Sequence, residues 1–116
     1  MIAAIDEQTF LRLADAQLAG IEAALERAID ADELDLDVDL KAGGVMELEC
    51  ANGSKIIINR HSAAREIWIA ARSGGYHFAY NGSAWVALKD RSELMEVLAR
   101  CIAEQTGKVF RLANPD

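Results

Sequence analysis

The spacing of apolar residues along this chain changes once, near residue 30, and that change limits the folds it can adopt. Upstream, Phe10, Leu13, Ala14, Gln17, Ile21, Ala24, Leu25 and Ala28 recur every three or four positions. That is the period of a helix with one buried stripe. Downstream, Leu34-Asp35-Leu36-Asp37-Val38-Asp39-Leu40 alternates strictly, the period of a strand buried on one face. A helix over about Asp6–Ile29, capped by Asp6, is therefore expected to hand over to a strand over Leu34–Leu40. The Leu and Val side chains of that strand face the core, and Asp35, Asp37 and Asp39 share the other side.

After the first strand the turn residues set the pattern. Gly43-Gly44 turns the chain into a strand over Val45–Cys50, and Asn52-Gly53, a strong hairpin dipeptide, leads to Ser54–Arg60. Glu66–Arg72 is a fourth strand, and Ser73-Gly74-Gly75 turns into Tyr76–Tyr80. Asn81-Gly82 then gives a tight turn into a short strand over Trp85–Leu88. Ser92 is expected to cap a last helix with Glu93 in its first turn, buried through Leu94, Val97, Leu98, Cys101 and Ile102 and ended by Gly107. Helix, roughly six antiparallel strands, helix makes an α+β two-layer sandwich (α-β6-α). Both helices cover one face of the sheet, and the other face stays open.

The 116 residues are expected to form one domain, 1–116, long enough for a core without disulfide or metal staples. No linker or repeat interrupts them, and the single proline is Pro115. No apolar run approaches the ~20 residues that span a bilayer. MIAAIDEQTF lacks the basic and apolar regions of a secretory signal. These features imply no membrane partner and a cytoplasmic protein. Cys50 and Cys101 form no CxxC pair and are expected to be buried thiols. With His61 and His77 as the two histidines, no zinc-ligand spacing arises.

Charge is unevenly placed. Residues 1–49 hold thirteen acids and three bases, and the remainder six acids and nine bases. The densest stretch, DADELDLDVDL from Asp30 to Leu40, has six carboxylates and no Lys or Arg. Such an acidic half excludes nucleic acid as a partner and suits a cation or a basic protein surface. On the helix, Glu22, Glu26 and Asp30 fall in a row that Glu33 extends if the last turn is helical. An EF-hand on Asp35, Asp37 and Asp39 fails, because Leu40 stands where Gly is needed and Met46 where a bidentate Glu is needed. No P-loop, GxSxG, HExxH or dinucleotide motif occurs, so no enzyme site is expected. What remains is an exposed carboxylate surface able to hold hard cations loosely. The plainer reading of the same residues is a solvated face that maintains solubility.

Alternation in the fourth strand puts Glu66, Trp68, Ala70 and Arg72 on the open face. An exposed Trp on a rigid sheet is a common protein-binding anchor, although its ring could equally lie flat over the sheet. Asn59 shares that face with Trp68, and His77 is opposite in parity to Tyr76, Phe78 and Tyr80, so it also points outward.

An acidic first helix and strand, then NGSKIIINR (52–60), IWIA (67–70) and GGYHF (74–78), then a Trp-bearing strand and a last helix, resemble the frataxin family in its bacterial branch. The likeness runs from Phe10 to about Gly107 and implies the same sandwich. It also implies that Fe²⁺ and Fe³⁺ bind weakly at a ridge on the first helix and strand. Position by position, that ridge is Glu22, Glu26, Asp30, Asp32, Glu33, Asp35, Asp37 and Asp39. It further implies partner contacts through Asn59 and Trp68, and action in iron–sulfur cluster assembly. The implied partners are the cysteine desulfurase and the scaffold protein, which the chain would regulate, with iron donation as a further role. Two departures stand out: Arg27 lies where another acid is expected, and His61 where Gln is expected. The implied state is a monomer able to oligomerise with iron. The alternative is an iron storage and detoxification protein with ferroxidase activity, which would need a preformed multi-ligand site.

Overall fold

The computed structural model describes residues 5–109 and 112; Pro115 lies outside them. Helix α1 spans Glu7–Asp30. Six strands follow: β1 Leu36–Lys41, β2 Val45–Cys50, β3 Lys55–His61, β4 Glu66–Ala71, β5 Gly74–Tyr80 and β6 Trp85–Ala87. Helix α2 spans Leu94–Thr106. The strands form one antiparallel meander in the order β1-β2-β3-β4-β5-β6. This is the expected α+β sandwich of two helices on a six-stranded sheet.

Asp6 caps α1 by accepting the Thr9 N–H at 2.7 Å. Those Thr9 bonds hold its carboxyl below the usual range. The buried stripe of α1 is Phe10, Ala14, Leu18, Ile21, Leu25 and Ala28. Leu18 thus takes a place that the sequence pattern gave to Gln17, while Leu13, Gln17 and Ala24 flank the stripe at half-burial. On the sheet, Leu36, Met46, Leu48, Ile56, Ile58, Ile67, Ile69 and Phe78 are buried beneath the helices. Phe10 packs edge-on against Trp85 at 5.9 Å, joining α1 to the last strand. Leu40 departs from expectation. It has core-side parity but is 54% exposed, because it stands at the hairpin end of the edge strand.

The start of α2 also differs. Ser92 does not cap it: its amide and hydroxyl both donate to Asp90 Oδ1, at 2.9 and 2.6 Å. The Asp90 turn captures the hydroxyl that would have capped the helix, and Glu93 becomes the N-cap residue. At the other end Gly107 adopts φ 77° and closes the helix, as its position after the apolar stripe implied. Arg60 reaches from the end of β3 across Gly44 to pair with Asp15 on α1. Any side chain at Gly44, where φ is 76°, would collide with that arm.

The C-terminal end of α2 is tied to two turns through one buried amide. Gln105 is 4% exposed. Its Nε2 donates to Ser54 Oγ at 2.9 Å and to the Lys55 carbonyl at 3.3 Å. Its Oε1 accepts the Arg72 N–H, and its own carbonyl accepts Asn52 Nδ2, both at 2.9 Å. Cys50 and Cys101 are buried free thiols beside this network, and burial pushes the Cys101 thiol upward. A Gln105→Leu variant, similar in volume but unable to make these bonds, is expected to lose about 2 kcal/mol in urea unfolding. A loss below about 0.5 kcal/mol would mean that the amide does not tie the layers together.

Candidate functional site

The acidic run follows a defined turn. Helix α1 ends with the Glu33 N–H bonded to the Ala28 carbonyl at 2.8 Å and the Asp32 N–H bonded to the Ile29 carbonyl at 3.1 Å. This double closure is the Schellman pattern, which favours Gly at its left-handed position. Here that position is Asp32, with φ 59°. The helix therefore stops at Asp30, and Glu33 lies beyond it rather than in the row formed by Glu22, Glu26 and Asp30. Asp30, Asp32 and Glu33 crowd the carbonyl end of α1, where the helix dipole is negative and anions are disfavoured. Arg27 is the one base in the last turn.

Strand β1 continues the surface. Asp37 and Asp39 are exposed and stand directly opposite Glu49 and Glu47 on β2. Like charges facing each other across a ladder destabilise it. Glu47 is partly neutralised: Lys55 Nζ lies 2.9 Å away and Lys41 Nζ 3.4 Å. The Lys55 bond holds the Glu47 carboxyl below its usual range. Lys41 also approaches Asp39 at 3.8 Å. Asp35 borders a small hollow of about 240 Å³ that it shares with Asn52, Gln105, Thr106 and Lys108. Charged side chains on an edge strand commonly deter strand-to-strand pairing. That accounts for Asp37 and Asp39, but not for three acids at the wrong end of a helix dipole. Glu47 and Glu49 were missed as members of this surface. The alternation in Val45–Cys50 puts them outward, but only the register shows that they face the Asp pair.

The second surface lies on β3, β4 and β5. Trp68 is the register partner of Asn59 on one side and of His77 on the other. The Trp68 ring neither projects freely nor lies flat. It is sandwiched between two imidazoles, His61 at 4.0 Å and His77 at 4.2 Å between ring centroids, with interplanar angles of 10° and 8°. Trp68 Nε1 donates to Glu66 Oε1 at 2.7 Å, which fixes the indole further. The Asn59 amide donates to the Arg60 carbonyl at 3.2 Å. Alternation put Glu66 on this face, but neither its bond to the indole nor the place of His61 in the stack was expected.

Chemically, the ridge presents oxygen ligands without enclosing an ion. Among the described residues, no three His, Cys, Asp or Glu side chains converge on a point that could hold a metal. The donor set fits loose, poorly selective capture of a hard cation rather than a closed metal centre. A trough of about 640 Å³, lined by Asn81, Ser83, Val86, Leu88 and Arg91 among others, touches neither surface. Among the described residues, no helix is long and apolar enough to cross a membrane.

Comparison with known proteins agrees with the fold. Residues 3–108 match the family model of the frataxin-like domain. The chain is 50% identical over 108 residues to the iron–sulfur cluster assembly protein CyaY of Dechloromonas aromatica, covering 93% of this chain and 99% of the relative. Its identity to the Cupriavidus taiwanensis protein of the same name is 45%, covering 89% and 92%. Among solved structures, frataxin from Psychromonas ingrahamii superposes with a TM-score of 0.84 at 26% identity, covering 95% of this chain and all of that one. Trimeric yeast frataxin complexed with ferrous iron superposes at 0.70 with 27% identity, covering 93% and 92%.

The left-handed Asp32 gives a prediction that separates backbone strain from charge. Asp32→Asn removes the charge and keeps a side chain that tolerates this conformation, whereas Asp32→Gly removes both costs. Asp32→Gly is expected to exceed Asp32→Asn in stability by about 1 kcal/mol in urea unfolding. Equal stabilities would show that the turn carries no strain.

Proposed function

The chain belongs to the frataxin-like family, and on that premise we propose that it serves iron–sulfur cluster assembly as a docking protein without chemistry of its own. In this reading it regulates the cysteine desulfurase by placing the acidic surface on a basic patch of that enzyme. That surface comprises Glu22, Glu26, Asp30, Asp32, Glu33, Asp35, Asp37 and Asp39. Asn59 and Trp68 then face the desulfurase–scaffold assembly. The observation that carries the reading is the placement of Asp30, Asp32 and Glu33 at the carbonyl end of α1, continuous with Asp37 and Asp39 facing Glu49 and Glu47. Each of these placements costs folding stability, and each cost falls when positive charge docks.

Iron enters as cargo. Fe²⁺ or Fe³⁺ held by surface carboxylates would be bound weakly and would compete with the desulfurase for the same oxygens. The same ions are then close to the assembly they would supply, which supports iron donation as a secondary role. Storage with ferroxidase activity is the second reading. It draws on the yeast relative, a trimer complexed with ferrous iron. A ferroxidase centre needs several ligands preformed around the iron, and loose capture at separate carboxylates does not supply that arrangement.

The test is the affinity for the cysteine desulfurase of the same organism. Wild type would be compared with a variant carrying Asp30→Asn, Asp32→Asn, Glu33→Gln, Asp35→Asn and Asp37→Asn. Micromolar or tighter binding that weakens at least tenfold in the variant, and falls steeply with added salt, is expected. Equal binding by both proteins would remove the acidic surface from the interface. Oxygen uptake with iron-driven assembly, and no desulfurase binding, would favour the storage reading.

A further inference from the structure

The three-ring stack suggests a form of control that the acidic ridge cannot exert. With an imidazole on each face, the indole of Trp68 has no free π-surface to offer. A partner meets the edges of three parallel rings, the Glu66 carboxylate and Asn59. Histidine is the side chain whose charge changes between pH 5 and 8, whereas carboxylates as a class titrate well below that window. The patch holds two histidines, His61 and His77, beside one carboxylate, Glu66.

The groups around the rings make the change one-directional. Glu66 Oε1 already accepts the Trp68 N–H and stands 3.8 Å from His77 Nδ1, close enough to pair with a charged His77. It is also the register partner of His61. The other nearby cation, Arg65, donates to the Ser62 and Ile5 carbonyls. On the far side, β6 ends at Ala87, opposite Phe78, so no strand residue there faces His77. One carboxylate therefore serves two histidines. With both neutral the patch carries the negative charge of Glu66; with both protonated its net charge is positive. His61 Nδ1 accepts the Ala64 N–H at 3.3 Å, a bond that only the neutral imidazole can make.

We propose that the His61–Trp68–His77 stack is a proton-controlled docking patch that takes a carboxylate-bearing surface of the partner when its histidines are charged. The open face is then bipolar, acidic on β1 and β2 and switchable to basic on β3 to β5. Charge complementarity calls for a partner surface with basic groups opposite the first region and acidic groups opposite the second. The proposal rests on the reading above that the Trp68 face meets the desulfurase–scaffold assembly.

The experiment measures affinity for that assembled complex at pH 6 and pH 8, at low fixed salt. It compares wild type with a His61→Gln/His77→Gln double variant and with His77→Arg, whose cation is permanent and can stack on Trp68. Wild type is expected to bind about tenfold tighter at pH 6 than at pH 8. The double variant, shown to be folded by its near-ultraviolet dichroism, should lose at least half of that dependence. His77→Arg should bind at pH 8 more tightly than wild type does. Titrating groups on the partner contribute equally to every arm, so an unchanged pH dependence in the double variant would overturn the proposal and leave the docking reading standing. Absence of binding by any form at either pH would overturn both.

Discussion

Both helices lie on one side of a single six-stranded meander, and the rest of the molecule follows from that placement. The α1 stripe from Phe10 to Ala28 and the α2 residues Leu94 to Ile102 bury the Leu, Ile and Phe side of every strand. The opposite side has no layer to cover it, so each strand must be polar or specially supported there. Burial of one face stabilises the fold through apolar area removed from water. The same asymmetry leaves an exposed sheet on which side-chain register, rather than core packing, decides what stands beside what. Gln105 and the Arg60–Asp15 pair hold the two layers in registry at their ends.

On that exposed side, charge and aromatic surface are segregated. The first two strands, with the turn that leaves α1, gather carboxylates against the helix dipole and against one another. The middle strands hold a Trp locked between two His by the ladder and by Glu66. A sheet built for stability alone would alternate signs across Asp37–Glu49 and would put Gly at residue 32. Local arrangements that oppose the global fold tend to mark functional surfaces. Here they coincide with the surface proposed above to dock the desulfurase.

Much of this architecture was legible in advance. Alternation in Leu34–Leu40 and Val45–Cys50, together with the Asn-Gly turns, located the strands to within two residues. Asn81 serves its turn through its own side chain, accepting the Ser83 and Ala84 amides. Leu18 was lost to Gln17 because two adjacent positions fit the helical period almost equally, and packing chose the apolar one. The α2 cap was misplaced because Asp90 competes for Ser92, a side-chain contest that spacing does not reveal. At the candidate site, the parity of Trp68, Asn59 and His77 was readable from alternation. The stack was not, because His61, Trp68 and His77 meet only through the pairing of β3 with β4 and of β4 with β5. The opposition of Asp37 and Glu49 was hidden for the same reason.

The central claim is that the acidic surface is held at a cost in folding stability that docked positive charge relieves. The most direct measurement is the urea-unfolding free energy of the free protein and of the five-site neutralised variant, each at low and at high salt. The account predicts that the neutralised variant is the more stable at low salt and that the gap narrows as salt screens the repulsion. A variant no more stable than wild type, or a gap indifferent to salt, would contradict it and leave the run from Asp30 to Leu40 as an ordinary solvated face.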